Sequence, residues 1–483
     1  MPDQKAIALD GGMDKATMAF IALLIVSMSA AVVLENPLPL ILPIAVIGLG
    51  LIAWSHKLIY YLFFFLLPFS VEVELPGGFS TDLPSEPLML VLSYVALLLI
   101  AKNIRGFKTG LFLHPISLLV LLHLIWIGFT SIYSSNPFFS MKFFLAKTWY
   151  LLPFYFLPLL LDGEKDFRKL FRLFLIGLFI SVAYVMLRHA GLGFSFDSIN
   201  KAVRPIYRNH VNYGILLIAC LPYYVYLMYA AKEKASVKGL GGLLFLLLAI
   251  YLTYTRAAHI SVVLALGVFF VIKFRLAKPA IMLSVLAMMA LSVYLVQDNQ
   301  YLDMAPDYNK AVEHKKFDNL VEATYKMEDI STVERFYRWI AGVNMVRERP
   351  LLGFGPACFY SEYRSYTVTS YKTYVSNNPE KSGIHNYYLM TAVEQGLPGL
   401  LIFLAIAILP VLYAEQAYHR LKERADKALL MAAVVSHVCI LAVLIINDLL
   451  EADKVGPVFF LSVSIIVYMS HKALRGNGLR KAQ

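Results

Sequence analysis

A chain of 483 residues that is 59% hydrophobic and only 16% charged has more apolar surface than a soluble fold can bury, since ordinary soluble domains carry about 25% charged residues. Its mean hydropathy of +0.65 makes the same point. A formal charge of +11 would suit a nucleic-acid partner if the Lys and Arg residues formed one patch, but they cluster in short segments between apolar runs, as membrane topology requires, so nucleic acid is excluded as a partner.

The polar segment Met1 to Lys15 is mixed in charge, and the apolar run after it lacks a small-residue cleavage site, so the first hydrophobic segment is expected to stay as an anchor. Apolar runs predict spans near 17–34, 37–54, 58–70, 87–101, 115–135, 143–161, 168–190 and 209–230, then 238–254, 257–275, 278–296, 385–413, 427–447 and 456–470. The runs 58–70 and 87–101 are short enough to be re-entrant or tilted. The expected fold is all-α, a polytopic integral membrane protein with about 12–14 transmembrane helices.

Basic clusters at Lys102–Lys108, Lys165–Arg172, Lys232–Lys238, Lys273–Lys278, Arg420–Lys427 and Lys472–Lys481 all fall on one side of this span list. The positive-inside rule makes that side, and both termini, cytoplasmic. The opposite face receives Glu72–Glu86, Gly191–Asn209, the turn at Thr255–Arg256, the segment 297–384, and Asn447–Val455. The segment 297–384 holds 12 acidic and 11 basic residues, so its arginines are no generic topology signal. Its length and the helix-like stretch Thr332 to Arg347 predict a small ordered cap, because long structureless loops are uncommon. The expected organisation is N-terminal spans over 1–237, three core spans over 238–296, a large outer loop with short helices over 297–384, and C-terminal spans with a cytoplasmic tail over 385–483. Cys220, Cys358 and Cys439 have no metal or redox spacing, and no disulfide is expected.

Four islands on the outer face carry residues suited to chemistry. In Thr253-Tyr254-Thr255-Arg256-Ala257-Ala258-His259-Ile260 an arginine stands between two spans with no room for a loop, a costly position unless it snorkels or is paired. In Glu334-Arg335-Phe336-Tyr337-Arg338-Trp339, Arg335 and Arg338 share a helix face at i and i+3 and can grip a diphosphate by forked hydrogen bonds; a solvated charged face is the bland alternative. Arg349-Pro350-Leu351-Leu352-Gly353-Phe354-Gly355-Pro356 follows as a tight turn. His385-Asn386-Tyr387-Tyr388-Leu389 opens the helix that returns to the membrane, and histidine suits proton transfer near neutral pH, although a histidine at a helix start is also an ordinary interfacial residue. Arg204-Pro205-Ile206-Tyr207-Arg208-Asn209-His210 adds two arginines before a span. Glu328-Asp329 and Glu451-Ala452-Asp453 offer carboxylates for a divalent cation, but beside so many arginines phosphate charge is better met by guanidinium, and no metal or other cofactor is expected.

These islands resemble the O-antigen ligase and polymerase superfamily, whose shared region is called Wzy_C. The resemblance rests on Leu252-Thr253-Tyr254-Thr255-Arg256 followed by Ile260, on Arg335-x-x-x-Trp339, on Arg349 to Gly355, and on His385-Asn386-Tyr387-Tyr388-Leu389 with ten residues between His385 and Gly396. It covers about 240 to 400, and Ile260 stands where the family usually has Leu. It implies a GT-C-like membrane glycosyltransferase that takes a polyprenyl-diphosphate-linked glycan on the periplasmic face of the bacterial inner membrane and passes it to lipid A-core or a growing glycan. It implies His385 as general base, with Arg256 and Arg335 on the donor diphosphate, in a metal-independent and inverting reaction. Arg338, Arg204, Arg208, His210, Asn386 and Tyr387 are the further substrate-contact candidates. Tyr360, Tyr363, Tyr366, Tyr371 and Tyr374 either stack on sugars or pack the cap on itself. A ligase of O-antigen or a related surface polysaccharide is favoured over a polymerase; a protein O-oligosaccharyltransferase shares the same donor chemistry. A polysaccharide or lipid transporter, the rival of another class, predicts internal repeats and mid-membrane charges, and a scaffold of an export complex needs no site at all.

Overall fold

The computed structural model describes residues 15–33, 39, 42–43, 56–75, 79–103, 109–230, 237–305, 330–378 and 382–481. The chain divides into two compact units, Met1–Leu62 and Phe63–Gln483. Helices of ten or more residues are numbered here in chain order. The first unit holds α1, Lys15–Val33, and most of α2, His56–Leu66.

The second unit continues with a two-stranded antiparallel hairpin, β1 Val71–Leu75 against β2 Phe79–Leu83, in register from Val71↔Leu83 to Leu75↔Phe79. Then come α3 Ser85–Asn103, α4 Pro115–Ile132, α5 Pro137–Leu151, α6 Glu164–Gly191, α7 His210–Ala230, α8 Val237–Tyr251, α9 Arg256–Lys273 and α10 Ala277–Val296. Helix α11, Ile330–Glu348, lies in the cap, and α12 Tyr387–Arg420, α13 Arg424–Val443 and α14 Val455–Lys481 complete the chain.

Among the described residues nine helices are long and apolar enough to cross a membrane: most or all of α3, α4, α6, α7, α9, α10, α12, α13 and α14. The protein is therefore an all-α, multi-pass membrane protein by length and composition. Of the other expected spans, 17–34, 58–70, 143–161 and 238–254 coincide with helical segments, and 37–54 lies almost wholly outside the described residues. The stretch expected at 87–101 is a full helix of 19 residues. The stretch expected at 143–161 starts earlier, at Pro137, and passes from α5 through a π turn at Leu152–Phe156. Pro153 and Pro158 each lack an amide donor there, and such gaps in the hydrogen-bond ladder favour π turns and bends.

The centre of the bundle is α13 and α14, most of whose residues are buried against neighbours, whereas in α10 Ala277 alone of the described residues is buried. Helix α13 packs on α7, α9 and α14, and α12 packs on α4 and α14. Small polar groups tie these helices together, as they do in membranes. Tyr223 and Ser462 hydroxyls meet at 2.7 Å, the Ser436 hydroxyl donates to the Ala219 carbonyl at 2.7 Å, and His437 Nε2 bonds the Ala407 carbonyl at 2.9 Å.

Residues 330–378 form the ordered cap, with α11 where the sequence places a helix over 332–347. Its core joins Tyr337, Ala341, Met345, Phe354, Phe359, Tyr363 and Tyr371 to Ile384 and to Val393 of α12. One apolar cluster thus fixes the cap to the head of a membrane helix. Tyr363 and Tyr371 are buried in it, while Tyr360 and Tyr374 stay exposed. All three cysteines are free and buried.

Candidate functional site

The site is organised by the first turn of α12. His385 takes a left-handed backbone, φ +56°, which is uncommon for a residue with a side chain. Asn386 then caps the helix, its side-chain oxygen accepting from the Leu389 amide at 3.0 Å. The Tyr387 amide donates to the Leu444 carbonyl at 2.9 Å, and the Tyr388 hydroxyl donates to the Leu441 carbonyl at 3.0 Å. The end of α13 is thereby laced to the start of α12.

From the cap, Trp339 Nε1 donates to the Ile384 carbonyl at 3.1 Å, one residue before His385. The same helix carries Arg335 and Arg338, whose charges both act on His385. Arg338 is 6% exposed and its Nη2 lies 3.5 Å from Glu334 Oε2. Glu334 is held in turn by the Ser376 hydroxyl at 2.9 Å and by the Thr373 hydroxyl. The Nε of Arg338 makes no hydrogen bond. Arg335 is more open to solvent and its Nη1 reaches the Ser331 hydroxyl at 3.4 Å.

His385 Nδ1 faces Asp448 Oδ1 at 3.9 Å, an ion-pair separation too long for a hydrogen bond. Burial pushes the imidazole pKa down to about 4; Asp448 opposes that shift, and Arg335 and Arg338 add to it. The ring is therefore neutral at pH 7, the state in which a nitrogen lone pair can take a proton.

The turn at 349–355 is clamped to a break in α12. The Phe354 and Gly355 amides donate to the Val393 and Glu394 carbonyls, both at 2.9 Å, and the Leu397 amide donates to the Pro350 carbonyl at 2.7 Å. Gly396 interrupts the helix at φ +72°, ψ 178°, a region essentially reserved for glycine, and a Cβ there would collide with the Leu351 carbonyl. The spacing of ten residues between His385 and Gly396 is thus the distance from helix start to cap clamp. On its other side the turn touches the α4–α5 connection, where the Ser135 amide donates to the Phe354 carbonyl at 2.8 Å.

Arg256 is the first residue of α9. The Thr255 hydroxyl beside it donates to the His210 carbonyl at 3.3 Å, which joins the heads of α9 and α7. Lower on α9, the Ser261 carbonyl faces Cys439 Sγ of α13 at 3.6 Å. Arg256 is five residues from Ser261 and Leu444 five from Cys439, so each lies roughly 7.5 Å further along its helix at 1.5 Å per residue. Arg256 therefore shares a level of the bundle with Leu444 and the His385 turn.

Arg208 is drawn elsewhere. Its Nε and Nη2 fork onto Glu72 of β1 at 2.9 and 2.6 Å, while Arg204 Nε contacts the Arg208 carbonyl at 3.5 Å and the Arg204 carbonyl accepts from Arg188. His210 Nδ1 is bonded to Asn200 Oδ1 at 2.9 Å. Beside Arg208, Asp82 of β2 has its carboxyl pushed up to about 6, by burial and then by the charge of Asp453. Lys454 joins the hairpin to the 204–208 turn, donating to the Ser70 and Ile206 carbonyls at 2.9 Å each.

Three residues at the His385 site were absent from the sequence candidates as a site: Asp448, Lys147 and Glu451, the last considered there only as a cation ligand. Lys147 Nζ, on α5, donates to Glu451 Oε1 at 2.6 Å and to the Tyr387 hydroxyl at 3.2 Å, and that hydroxyl donates to Glu451 Oε1 at 2.6 Å. An isolated lysine in Phe143-Phe144-Leu145-Ala146-Lys147-Thr148 was the available signal, because an ionisable group inside an apolar run implies a partner. The carboxylates of Glu451 and Asp453 are turned to lysines, and among the described residues no group of three or more His, Cys, Asp or Glu is placed to hold a metal ion. Glu328-Asp329 falls outside the described residues.

Residues 241–404 match the family model Wzy_C, O-antigen ligase. This segment belongs to the O-antigen ligase superfamily. The match covers about a third of the chain and includes Arg256, α11, the 349–355 turn, His385 and Gly396. No curated protein matches the chain. Together with the nine apolar helices, the match supports a membrane enzyme of the O-antigen ligase/polymerase type, and the matched segment contains both the cap clamp and the His385 turn.

Proposed function

We propose that the protein is an O-antigen ligase, or ligase of a related surface polysaccharide, that moves a glycan from a polyprenyl diphosphate to an acceptor hydroxyl on lipid A-core. The observation that carries this reading is a half-buried imidazole that faces Asp448 at 3.9 Å on a turn bonded to α11, the helix whose Arg335 and Arg338 charges act on the ring. A base and a cationic diphosphate cradle in one place fit this transfer, in which no nucleotide is needed because the donor is already activated.

In the proposed step the acceptor oxygen attacks the anomeric carbon and its proton passes to His385. The carbon–oxygen bond to the diphosphate breaks as the new bond forms, and the electron pair leaves on the diphosphate. A single displacement of this kind inverts the anomeric centre. Asp448 faces Nδ1, which leaves Nε2 as the basic nitrogen and supports the imidazolium once formed. Arg335 and Arg338, with Arg256 at the same level, offset charge growing on the leaving group, the role in which fixed guanidinium groups act most strongly. In this reading arginine supplies the positive charge and the step is metal-independent. Asn386 and Tyr387 shape the turn that presents His385, whereas Arg208, Arg204 and His210 are engaged by Glu72, the Arg208 carbonyl and Asn200 and take no part in the transfer step. The orientation that goes with it places this end in the periplasm and both termini in the cytoplasm of an inner-membrane protein, as the basic clusters direct.

Deleting the gene in its host and examining the surface polysaccharide tests the reading. A ligase predicts lipid A-core without long chains and accumulation of long polyprenyl-linked glycan. Accumulation of single repeat units instead identifies a polymerase, and unchanged surface glycan overturns both.

A further inference from the structure

Lys147 is 1% exposed, and its ammonium sits where three parts of the fold meet. It comes from α5, outside the matched segment 241–404. Its partner Tyr387 lies two residues after His385, and its partner Glu451 lies three after Asp448. The Tyr150 hydroxyl, one α5 turn on, also reaches the Glu451 carbonyl at 3.4 Å. His385 and Asp448 lie on chain segments far apart in sequence; the end of α13 is tied to the α12 start by the Tyr387 amide and the Tyr388 hydroxyl, and the 448–451 loop that follows is tied to it by the Tyr387–Glu451 bond, with Lys147 bonded to both partners.

We infer that Lys147 is a positioning residue of the transfer site, holding the 448–451 loop against the α12 start so that Asp448 faces His385. This deepens the reading of His385 as base and rests on it. A buried cation in an apolar run is costly, and its two partners each flank one member of the His385–Asp448 pair. The ammonium itself is engaged by Glu451 and Tyr387, so it acts through those residues and makes no contact with the donor. Displacement of a reacting group by about 1 Å is enough to cost roughly 10²-fold in rate.

The test is transfer from a polyprenyl-diphosphate-linked oligosaccharide to lipid A-core by purified enzyme in proteoliposomes, for K147M, D448N, their double variant and H385A. Removing one partner of a buried pair threatens folding, so K147M/E451Q, which leaves neither charge behind, is measured alongside. K147M, or K147M/E451Q where K147M fails to fold, is expected to lower kcat at least about tenfold with the KM for the donor unchanged within about twofold. In the D448N background the same change is expected to add less than about threefold, because both changes spoil one alignment. Wild-type kcat in a folded Lys147 variant overturns the inference, and so do losses that multiply with those of D448N. H385A separates the two levels: full activity in H385A overturns the base itself, whereas an inactive H385A beside a fully active Lys147 variant overturns only the positioning role.

Discussion

His385 and Asp448 stand 3.9 Å apart, one just before the helix that enters the membrane from the cap, the other just after the end of the helix packed beside it. The carboxylate raises the affinity of the ring for a proton, burial and the α11 arginines lower it, and the balance leaves the pKa near 4. A base must be neutral to act, so the rate of transfer is expected to stay level from neutral pH downward and to fall as pH drops through about 4. Replacing Arg335 by Gln removes a cation that disfavours imidazolium, so the acid limb moves to higher pH. Replacing Asp448 by Asn removes the group that favours it, so the limb moves lower. Shifts in the reverse directions would contradict the arrangement. The same depression makes folding sensitive to acid: an unfolded His385 takes a proton near its ordinary value of 6.5 while the folded one resists, so its contribution to stability declines as pH falls from there toward 4.

Arg335→Lys keeps the charge and loses the fork. If α11 recognises a diphosphate by paired hydrogen bonds, the KM for the lipid-linked donor rises and kcat falls, together on the order of ten-fold or more in kcat/KM. An unchanged kcat/KM would leave Arg335 as a surface residue of the cap. Arg208, whose fork is already occupied by Glu72 at an exposed site, is expected to tolerate Ala within about threefold, since exposed ion pairs contribute about 0–1 kcal/mol.

Gly396→Ala places a Cβ against the Leu351 carbonyl at a backbone angle that only glycine adopts readily. The conformational cost alone is on the order of 1–3 kcal/mol, and the collision adds to it. The clamp between the 349–355 turn and α12 is expected to open, seen as a lower thermal midpoint and new proteolytic sites in the cap. Wild-type protease resistance would show that the clamp is dispensable.

Glu334→Ala strips the carboxylate from a nearly buried Arg338 and from the Ser376 and Thr373 hydroxyls. Breaking a buried pair from one side typically costs about 3–5 kcal/mol. A clear drop in thermal midpoint is expected, larger than for Glu72→Ala at the exposed pair with Arg208, and equal drops would contradict the burial argument.

Much of this was legible in the chain itself, for physical reasons. Bilayer thickness sets span length, so hydropathy located most of the helices that the fold contains, and helical spacing put Arg335 and Arg338 on one face of a helix that runs from Ile330 to Glu348. The hairpin at Val71–Leu83 falls in the segment Glu72–Glu86 that the span list assigns only to the outer face; Val71-Glu72-Val73-Glu74-Leu75 alternates apolar and charged residues with the period of a strand, a signal that a search for long apolar runs passes over. Arg208 could not be assigned its partner, since Glu72 is 136 residues away in sequence. Lys147 was passed over as one charge within an apolar run, although the burial that hides it is also what demands the Glu451 and Tyr387 contacts. The cap tyrosines divided by burial, with Tyr363 and Tyr371 inside and Tyr360 and Tyr374 outside, a distinction that composition does not hold.

The most direct test of the account is the single-turnover rate of H385A with a polyprenyl-diphosphate-linked oligosaccharide and a lipid A-core acceptor, measured on protein whose thermal midpoint matches the wild type. Loss of a general base predicts a fall of roughly 10²–10⁴-fold with donor binding retained. A rate within threefold of wild type would contradict the assignment of His385 and, with it, the mechanism built around that turn.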